Sequence, residues 1–251
     1  LSDLPDIFDN TCDPVQLNNS NLNCLMYADD LVIVSQSAKG LQCALDRLHD
    51  YCKKWKLLVN FDKSNAMIFN KSGRVLSNYT FKYGDSALKI TGEYTYLGIV
   101  FTPSGSFTKV MLKLVEKASK AFFKIRENLY NTSSNCSFKL FHTLIKPIIS
   151  YGCEIWAPYM LKNLNDTNFI HLCDKLPGET LHIKVCKLIL GVHRKTTNNA
   201  VRGDLGSFPI LILMLSLSVK YWWHLNDLCL KNGTKRLVID ALVDNRKLCI
   251  N

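Results

Sequence analysis

The sequence predicts an α+β protein: a small antiparallel hairpin sheet with a packed helix, followed by a mostly α-helical remainder. Three observations carry this. Before Gly105, most apolar residues come in short β-branched or aromatic runs, such as Leu31–Val34 and Tyr94–Phe101. Asp, Asn, Ser and Gly separate these runs, which is the spacing of short strands. One stretch in that half, Ala38–Lys56, instead places apolar residues at three- and four-residue steps. After Ser106 this helical period takes over and recurs to the end of the chain.

Leu1–Asn21 is polar and turn-rich, with Pro5 and Pro14, and predicts a loop with one short helix near Asp3–Phe8. Next, Cys24–Met26 and Leu31–Val34 flank the pair Asp29–Asp30. Each run is too short for a helix, so strand, tight turn, strand is the expected geometry, with Tyr27-Ala28-Asp29-Asp30 at the tip. Adjacent like charges repel, and a divalent cation relieves the conflict; hard oxygen ligands suit Mg²⁺. Asp is also a common turn residue that simply faces water. Both readings stand on these residues alone.

Ala38–Lys56 is an amphipathic helix, with Leu41, Ala44, Leu45, Leu48, Tyr51, Cys52 and Trp55 on one face and Ser37 as N-cap. That face is expected to pack on the hairpin. His49, beside it, reads as structural. Leu57–Asn60 and Ala66–Phe69 predict two strands joined by a loop holding Lys63. Further strands are expected at Val75–Leu76 and Tyr79–Tyr83. Gly98 interrupts the β-rich run Tyr94–Phe101, which permits a tight bend. Pro103 and Gly105 end this half.

Phe107–Tyr130 predicts a long helix with two faces. Val110, Leu114, Ala118, Ala121, Phe122, Ile125 and Leu129 form the apolar one. Lys109, Lys113, Lys117, Lys120 and Lys124 share another, centred roughly 130° away at 100° per residue. Such a row is either a solvated face or a track for a phosphate backbone, and about four engaged phosphates would give a log–log salt slope of roughly −3 to −4. Phe138–Lys146 predicts a helix that breaks at Pro147 and resumes over Ile148–Trp156. Trp156 and Tyr159 read as core rather than stacking residues. Leu161–Leu190 predicts two helices split at Pro177-Gly178. His171, Cys173, His182 and Cys186 match no zinc-finger spacing and sit among core-type neighbours. A basic knot, His193-Arg194-Lys195, precedes a short helix within Thr196–Leu205. Pro209–Leu230 is apolar almost all round, so a buried helix is expected; Thr234–Asn251 predicts a last amphipathic one.

The net charge of +10 suggests a polyanionic partner, although an acidic membrane or plain solubility fits as well. Ten cysteines at irregular spacings, with no Cys-x-x-Cys, predict free thiols without disulfide partners in a reducing, intracellular setting rather than a secreted one. The longest apolar run, Phe208–Leu217, is too short to span a bilayer, so no membrane role is expected. The chain begins at Leu1 with no targeting segment and reads as a piece of something longer.

Tyr27-Ala28-Asp29-Asp30, followed by Leu31-Val32 and Ser35, resembles the palm signature of reverse transcriptases, in detail those of non-LTR (LINE-type) retrotransposons. Motif order extends the resemblance. Asp3-Leu4-Pro5 resembles the segment before the catalytic hairpin. Asn60, Lys63, Ser64, Met67 and Phe69 resemble the palm motif after it, and Tyr96-Leu97-Gly98 resembles the primer grip. Tyr151–Trp156, and Leu190-Gly191-Val192 with Gly203–Pro209, resemble later segments of the LINE type.

The resemblance implies a partial polymerase palm over 1–105, thumb-like helices over 106–160 and a helical C-terminal region over 161–251. It implies template-directed nucleotide addition by two divalent metals, with RNA template, DNA primer and dNTP as partners. Asp29 and Asp30 would be catalytic and would hold Mg²⁺. Lys63 would act as general acid toward the leaving pyrophosphate. Tyr96, Leu97 and Gly98 would position the primer, and the five lysines would follow the duplex. A third carboxylate is expected well upstream, yet only 28 residues precede Asp29. The isolated chain is therefore expected not to polymerise. The competing readings are a non-catalytic basic nucleic-acid-binding remnant and a structural helical interaction domain.

Overall fold

The structure, a computed structural model, describes residues 3–130, 133–161, 169–231, 240, 241 and 244. The chain divides into two compact units. One comprises residues 1–94, 102–105 and 224–251, the other 95–101 and 106–223. Each has its own hydrophobic core.

The first unit opens with 3₁₀ turns at Leu4–Ile7 and Asn10–Cys12. Strands β1 (Val15–Leu17) and β2 (Ser20–Leu22) form an antiparallel hairpin in a stretch expected to be loop. Strands β3 (Cys24–Tyr27) and β4 (Asp30–Ile33) follow, in the expected hairpin, with Tyr27 opposite Asp30. Helix α1 (Ala38–Trp55) starts as predicted, with Ser37 Oγ accepting from the Gly40 N–H at 3.1 Å. Its Ala44, Leu45, Leu48, Tyr51 and Cys52 are buried, and Cys24, Leu31 and Ile33 of the β3–β4 hairpin pack on the same core. Trp55, expected on this face, is exposed, because the helix ends beyond its packing partners.

Strand β5 (Asn65–Ala66) pairs parallel with β7 (Ser86–Ile90), and β7 pairs antiparallel with β6 (Phe81–Tyr83). The strand expected at Ala66–Phe69 is thus limited to Asn65–Ala66. Leu57–Asn60 is not a strand: Leu58 is 99% exposed, with nothing for its side chain to pack on. Val75–Leu76 is likewise irregular. His49 holds a structural place, its ring edge-on to Tyr83 at 5.0 Å.

Strand β8 (Tyr94–Tyr96), which enters the second unit at Thr95, and β9 (Ile99–Phe101) form a hairpin whose β9 packs on helix α2 (Thr108–Tyr130). Val110, Met111, Leu114, Ala118 and Phe122 of α2 are buried. The side chain of Leu129, assigned to the same stripe, lies outside the described residues. Helix α3 (Ser134–Leu140) does not break at Pro147. It runs through a π turn at Phe141–Ile145 into α4 (Lys146–Ile149). Proline lacks an N–H and crowds the carbonyl four residues back. The wider turn, in which the Lys146 N–H reaches back to the Phe141 carbonyl, opens room for the ring.

Helix α5 (Cys153–Trp156) follows a bend at Gly152. Then come α6 (Phe169–Lys175) and α7 (Pro177–Ile189), split at Pro177-Gly178 as predicted. Residues 162–168 of that stretch lie outside those described. Helix α8 (Asn198–Leu205) leads to α9 (Ile210–Lys231). The expectation that α9 is buried all round is corrected. Ile210, Leu211 and Met214 are buried, whereas Val219, Trp222 and Trp223 are exposed, because the unit covers only one side of the helix. The helix predicted over Thr234–Asn251 falls almost wholly outside the described residues. Among the described residues no single helix is long and apolar enough to cross a membrane.

Candidate active site

The β3–β4 hairpin sets out its two carboxylates by its own geometry. Its turn is only Ala28-Asp29, and Ala28 sits at φ +53°, a left-handed conformation that disfavours a side chain. Cys24, Leu31 and Ile33 anchor the ribbon to the core. The tip stands clear: Tyr27 is 65% exposed, and Ala28, Asp29 and Asp30 are exposed as well. Neither aspartate makes an ion pair with a described residue. Among the described residues the ribbon has just these two strands, and Leu25 on the face away from the core is also exposed.

Lys63 sits in the loop before β5. Its backbone is fixed, its N–H donating to the Asn60 carbonyl and Asn60 Oδ1, both at 3.3 Å, while its carbonyl accepts from the Tyr94 hydroxyl at 3.0 Å. The side chain is exposed and makes no ion pair with a described residue. Asp29, Asp30 and Lys63 thus belong to one unit, with no bond among them.

Tyr96, Leu97 and Gly98 lie in the second unit. Leu97 at φ +47° and Gly98 at φ +81° form a two-residue turn with both central residues left-handed, the geometry that matches strand twist in tight hairpins. The Tyr151 hydroxyl donates to the Leu97 carbonyl at 2.9 Å. The segment Tyr151–Trp156 is therefore the packing partner of this turn. Trp156 is fully buried and donates its Nε1–H to the Tyr151 carbonyl at 2.9 Å. Tyr159 is half-exposed, edge-on to Phe107 at 5.1 Å.

On α2, Lys109, Lys117, Lys120 and Lys124 are exposed and Lys113 is half-buried. Lys120 pairs with Glu116 at 2.7 Å, and this ammonium holds the Glu116 carboxyl below its usual range. Lys120 is therefore engaged within the helix. Phe123, 54% exposed, adjoins the row, with the Arg126 guanidinium 5.9 Å and the α7 Lys184 ammonium 5.5 Å from its ring centre.

The buried polar cluster of the second unit escaped sequence reasoning. Glu179, 1% exposed, accepts from Arg202 Nη2 at 2.8 Å, from the Ile210 N–H at 2.6 Å and from His182 Nδ1 at 3.3 Å. Burial works to raise its pKa; the bonds from His182, Ile210 and Arg202 prevail and hold it low. Arg202 also bonds Asp174. His182 Nε2 lies 3.1 Å from Ser207 Oγ, and its ring stacks on Phe141. Both ring nitrogens of His182 are thus used within the fold, while His171 is exposed and Cys173 and Cys186 are buried. The one available signal was the position of Glu179 in the first turn of α7, where an acid favours the helix dipole.

Residues 4–101 match the family described as reverse transcriptase (RNA-dependent DNA polymerase). This stretch is similar to reverse transcriptases over those residues. Its relatives include the Retrovirus-related Pol polyprotein from type-2 retrotransposable element R2DM of Drosophila melanogaster, 28% identical over 148 residues. Another is the RNA-directed DNA polymerase from mobile element jockey of Drosophila funebris, 24% identical over 148 residues. Each match covers 55% of this chain, and 14% and 16% of the respective relative. The chain thus spans a small part of the reverse transcriptases it resembles. No solved structure matches it.

Reverse transcriptases use divalent metal ions. The described residues do not complete such a site: they contain no group of three or more His, Cys, Asp or Glu side chains able to hold an ion. Asp29 and Asp30 are two carboxylates on successive residues, one in the turn and one opening β4. Divalent cations take about six oxygen ligands, more than this pair offers.

Proposed function

We propose that the chain is part of the RNA-directed DNA polymerase of a non-LTR retrotransposon. Residues 1–105 are part of the palm, 106–160 the thumb-like helices and 161–251 a helical C-terminal region. The observation that carries this reading is the exposed Asp29–Asp30 tip, held by a core-anchored ribbon within the reverse transcriptase match.

In the whole protein, Asp29 and Asp30 supply two of the carboxylates that hold Mg²⁺. Lys63 presents an ammonium toward the leaving pyrophosphate, where negative charge accumulates. The turn at Tyr96-Leu97-Gly98 supports the primer strand. The α2 lysines bind backbone phosphates of the RNA template–DNA primer duplex without reading sequence. The protein acts inside the cell and takes dNTP as substrate. The described residues of this chain do not complete the metal site, and the chain by itself is expected not to polymerise.

Primer extension on an RNA template with Mg²⁺ tests the reading. This chain, an upstream-extended form and the Asp29→Ala version of that form are compared. The expected result is incorporation by the extended form alone, abolished by Asp29→Ala. Incorporation by this chain, or indifference to Asp29→Ala, overturns the assignment.

A further inference from the structure

The second unit contains a cavity of about 540 Å³ beside α7 that none of the proposed polymerase roles uses. It is a cleft open to solvent, of a volume found in small-ligand sites. Its lining is chemically divided. Lys184, Lys187 and Arg194 bring three cations, and Ile183, Leu188 and Val192 bring apolar surface. Thr180 and Asn198 add groups that both donate and accept hydrogen bonds.

The cavity's two acids offset those three cations only in part, because they share the Arg202 guanidinium. Glu179 and Asp174 are both bonded to Arg202, and Glu179 also accepts from the Ile210 N–H. Lys184, Lys187 and Arg194 take part in no ion pair with a described residue. The Lys187 ammonium donates to the Arg194 carbonyl at 2.9 Å, which ties the basic loop His193-Arg194-Lys195 to α7. The fold therefore gathers three cations, none of them ion-paired with a described residue.

Lys184 has a second relation. Its ammonium lies 5.5 Å from the ring centre of the exposed Phe123, on the helix that carries the lysine row. The basic surface of α2 and the cavity of α7 are thus continuous through one side chain. Cations set around an apolar recess with hydrogen-bonding groups suit a ligand with an anionic end and a flat apolar body. A nucleoside phosphate has that form: phosphate meets the ammonium and guanidinium groups, and the base meets Ile183, Leu188 and Val192.

We propose that this cavity binds a nucleoside phosphate, either an unpaired nucleotide of a nucleic-acid strand or a free mononucleotide. The inference rests on the polymerase reading only for the choice of a nucleotide as the anion, and it requires no catalysis.

The test uses the full chain and three probes: a labelled 12-nucleotide single-stranded RNA, an RNA–DNA duplex of the same length, and AMP. Binding is compared for the native chain, Lys187→Glu, Arg194→Glu and Lys109→Glu, with circular dichroism confirming helix content. Lys187→Gln and Arg194→Gln stand in for any Glu variant that fails to fold. The cavity variants are expected to weaken the single strand at least tenfold and the duplex less than threefold. Lys109→Glu is expected to do the reverse. A 4-thiouridine single strand should cross-link within residues 177–198. AMP binding that is lost in the same cavity variants identifies a free nucleotide as an occupant; no AMP binding identifies the strand. Equal losses for single strand and duplex would mean a diffuse charge effect and overturn the proposal. So would unchanged single-strand binding, or cross-links confined to α2. A failure of primer extension leaves these readouts intact, so the two readings fail separately.

Discussion

The Tyr151 hydroxyl donates to the Leu97 carbonyl across 2.9 Å, and a Cβ added at Gly98 would lie 3.0 Å from the Tyr151 ring. One side chain therefore both ties down the β8–β9 turn and limits what the turn can contain. Gly98 is further confined by its φ of +81°. Gly98→Ala is expected to destabilise the chain by about 1–3 kcal/mol. Tyr151→Phe, which deletes one hydrogen bond, is expected to cost about 1 kcal/mol. Urea denaturation measures both. Equal, negligible effects would mean that the turn is not held in this way.

Ala28 gives the converse case. At φ +53° it bears a conformation that glycine adopts without strain. Ala28→Gly is expected to leave the melting temperature unchanged or raise it slightly, since relieved strain offsets the greater chain entropy. Ala28→Val is expected to lower stability by about 1–2 kcal/mol, because a β-branched residue tolerates positive φ least. Thermal melts of the two variants should move apart.

His142 predicts an acid-sensitive fold. Burial, with the neighbouring Lys146 ammonium and His182 adding to it, pushes its pKa from 6.5 down to about 4. The folded state favours the neutral ring, so between pH 6.5 and about 4 the unfolded chain binds more protons. Stability therefore falls as pH drops through that window, by about 1–2 kcal/mol after allowance for partial solvent access. In His142→Phe the denaturation midpoint should lose this part of its pH dependence, while other groups keep theirs.

Two neighbouring thiols should react differently. Cys43 Sγ lies 3.5 Å from Thr11 Oγ1 and 3.8 Å from Cys12 Sγ. The Thr11 hydroxyl holds the Cys43 pKa below the ordinary value, and burial pushes Cys12 above it. Near pH 8, iodoacetamide followed by peptide mass spectrometry is expected to label Cys43 at least tenfold faster than Cys12. Thr11→Val should narrow the gap.

Glu179 is the strongest single point of the second unit. Glu179→Leu leaves the Arg202 guanidinium in a buried site with only Asp174 for charge and strips the Ile210 N–H of its acceptor. The expected loss is about 3–5 kcal/mol. The double variant Glu179→Leu/Arg202→Met should recover a large part of it. A double variant worse than the sum of the singles would contradict this account of the cluster.

The legible parts of the fold were those where burial leaves a period. The β3–β4 ribbon showed through its β-branched run, α1 through seven apolar positions and the Ser37 cap, and α2 through its two faces. The β1–β2 hairpin did not show, because three-residue strands containing Gln16 and Asn21 carry no alternation. Leu57–Asn60 misled for the opposite reason: apolar residues suggested a strand where no described strand pairs with them. At the candidate site the carboxylate pair and the lysine row could be read directly, since each is a local pattern. The Glu179–Arg202 cluster could not, because its members are brought together by α7, α8 and α9 from positions 23 residues apart. Tyr151 was legible as part of a segment, but its task depends on a turn more than fifty residues earlier.

The π turn at Phe141–Ile145 has a geometric effect beyond making room for Pro147. In an α-helix, steps of four overshoot one full turn by about 40° each, so residues at that spacing drift around the axis. A π turn winds wider, and a step of four within it falls short of a turn. One step of each kind separates Phe141, Ile145 and Ile149, so the two errors oppose each other. All three side chains are fully buried in the same core. The irregular turn thus works as a phase corrector: it straightens a row of contacts that a regular helix would let spiral away.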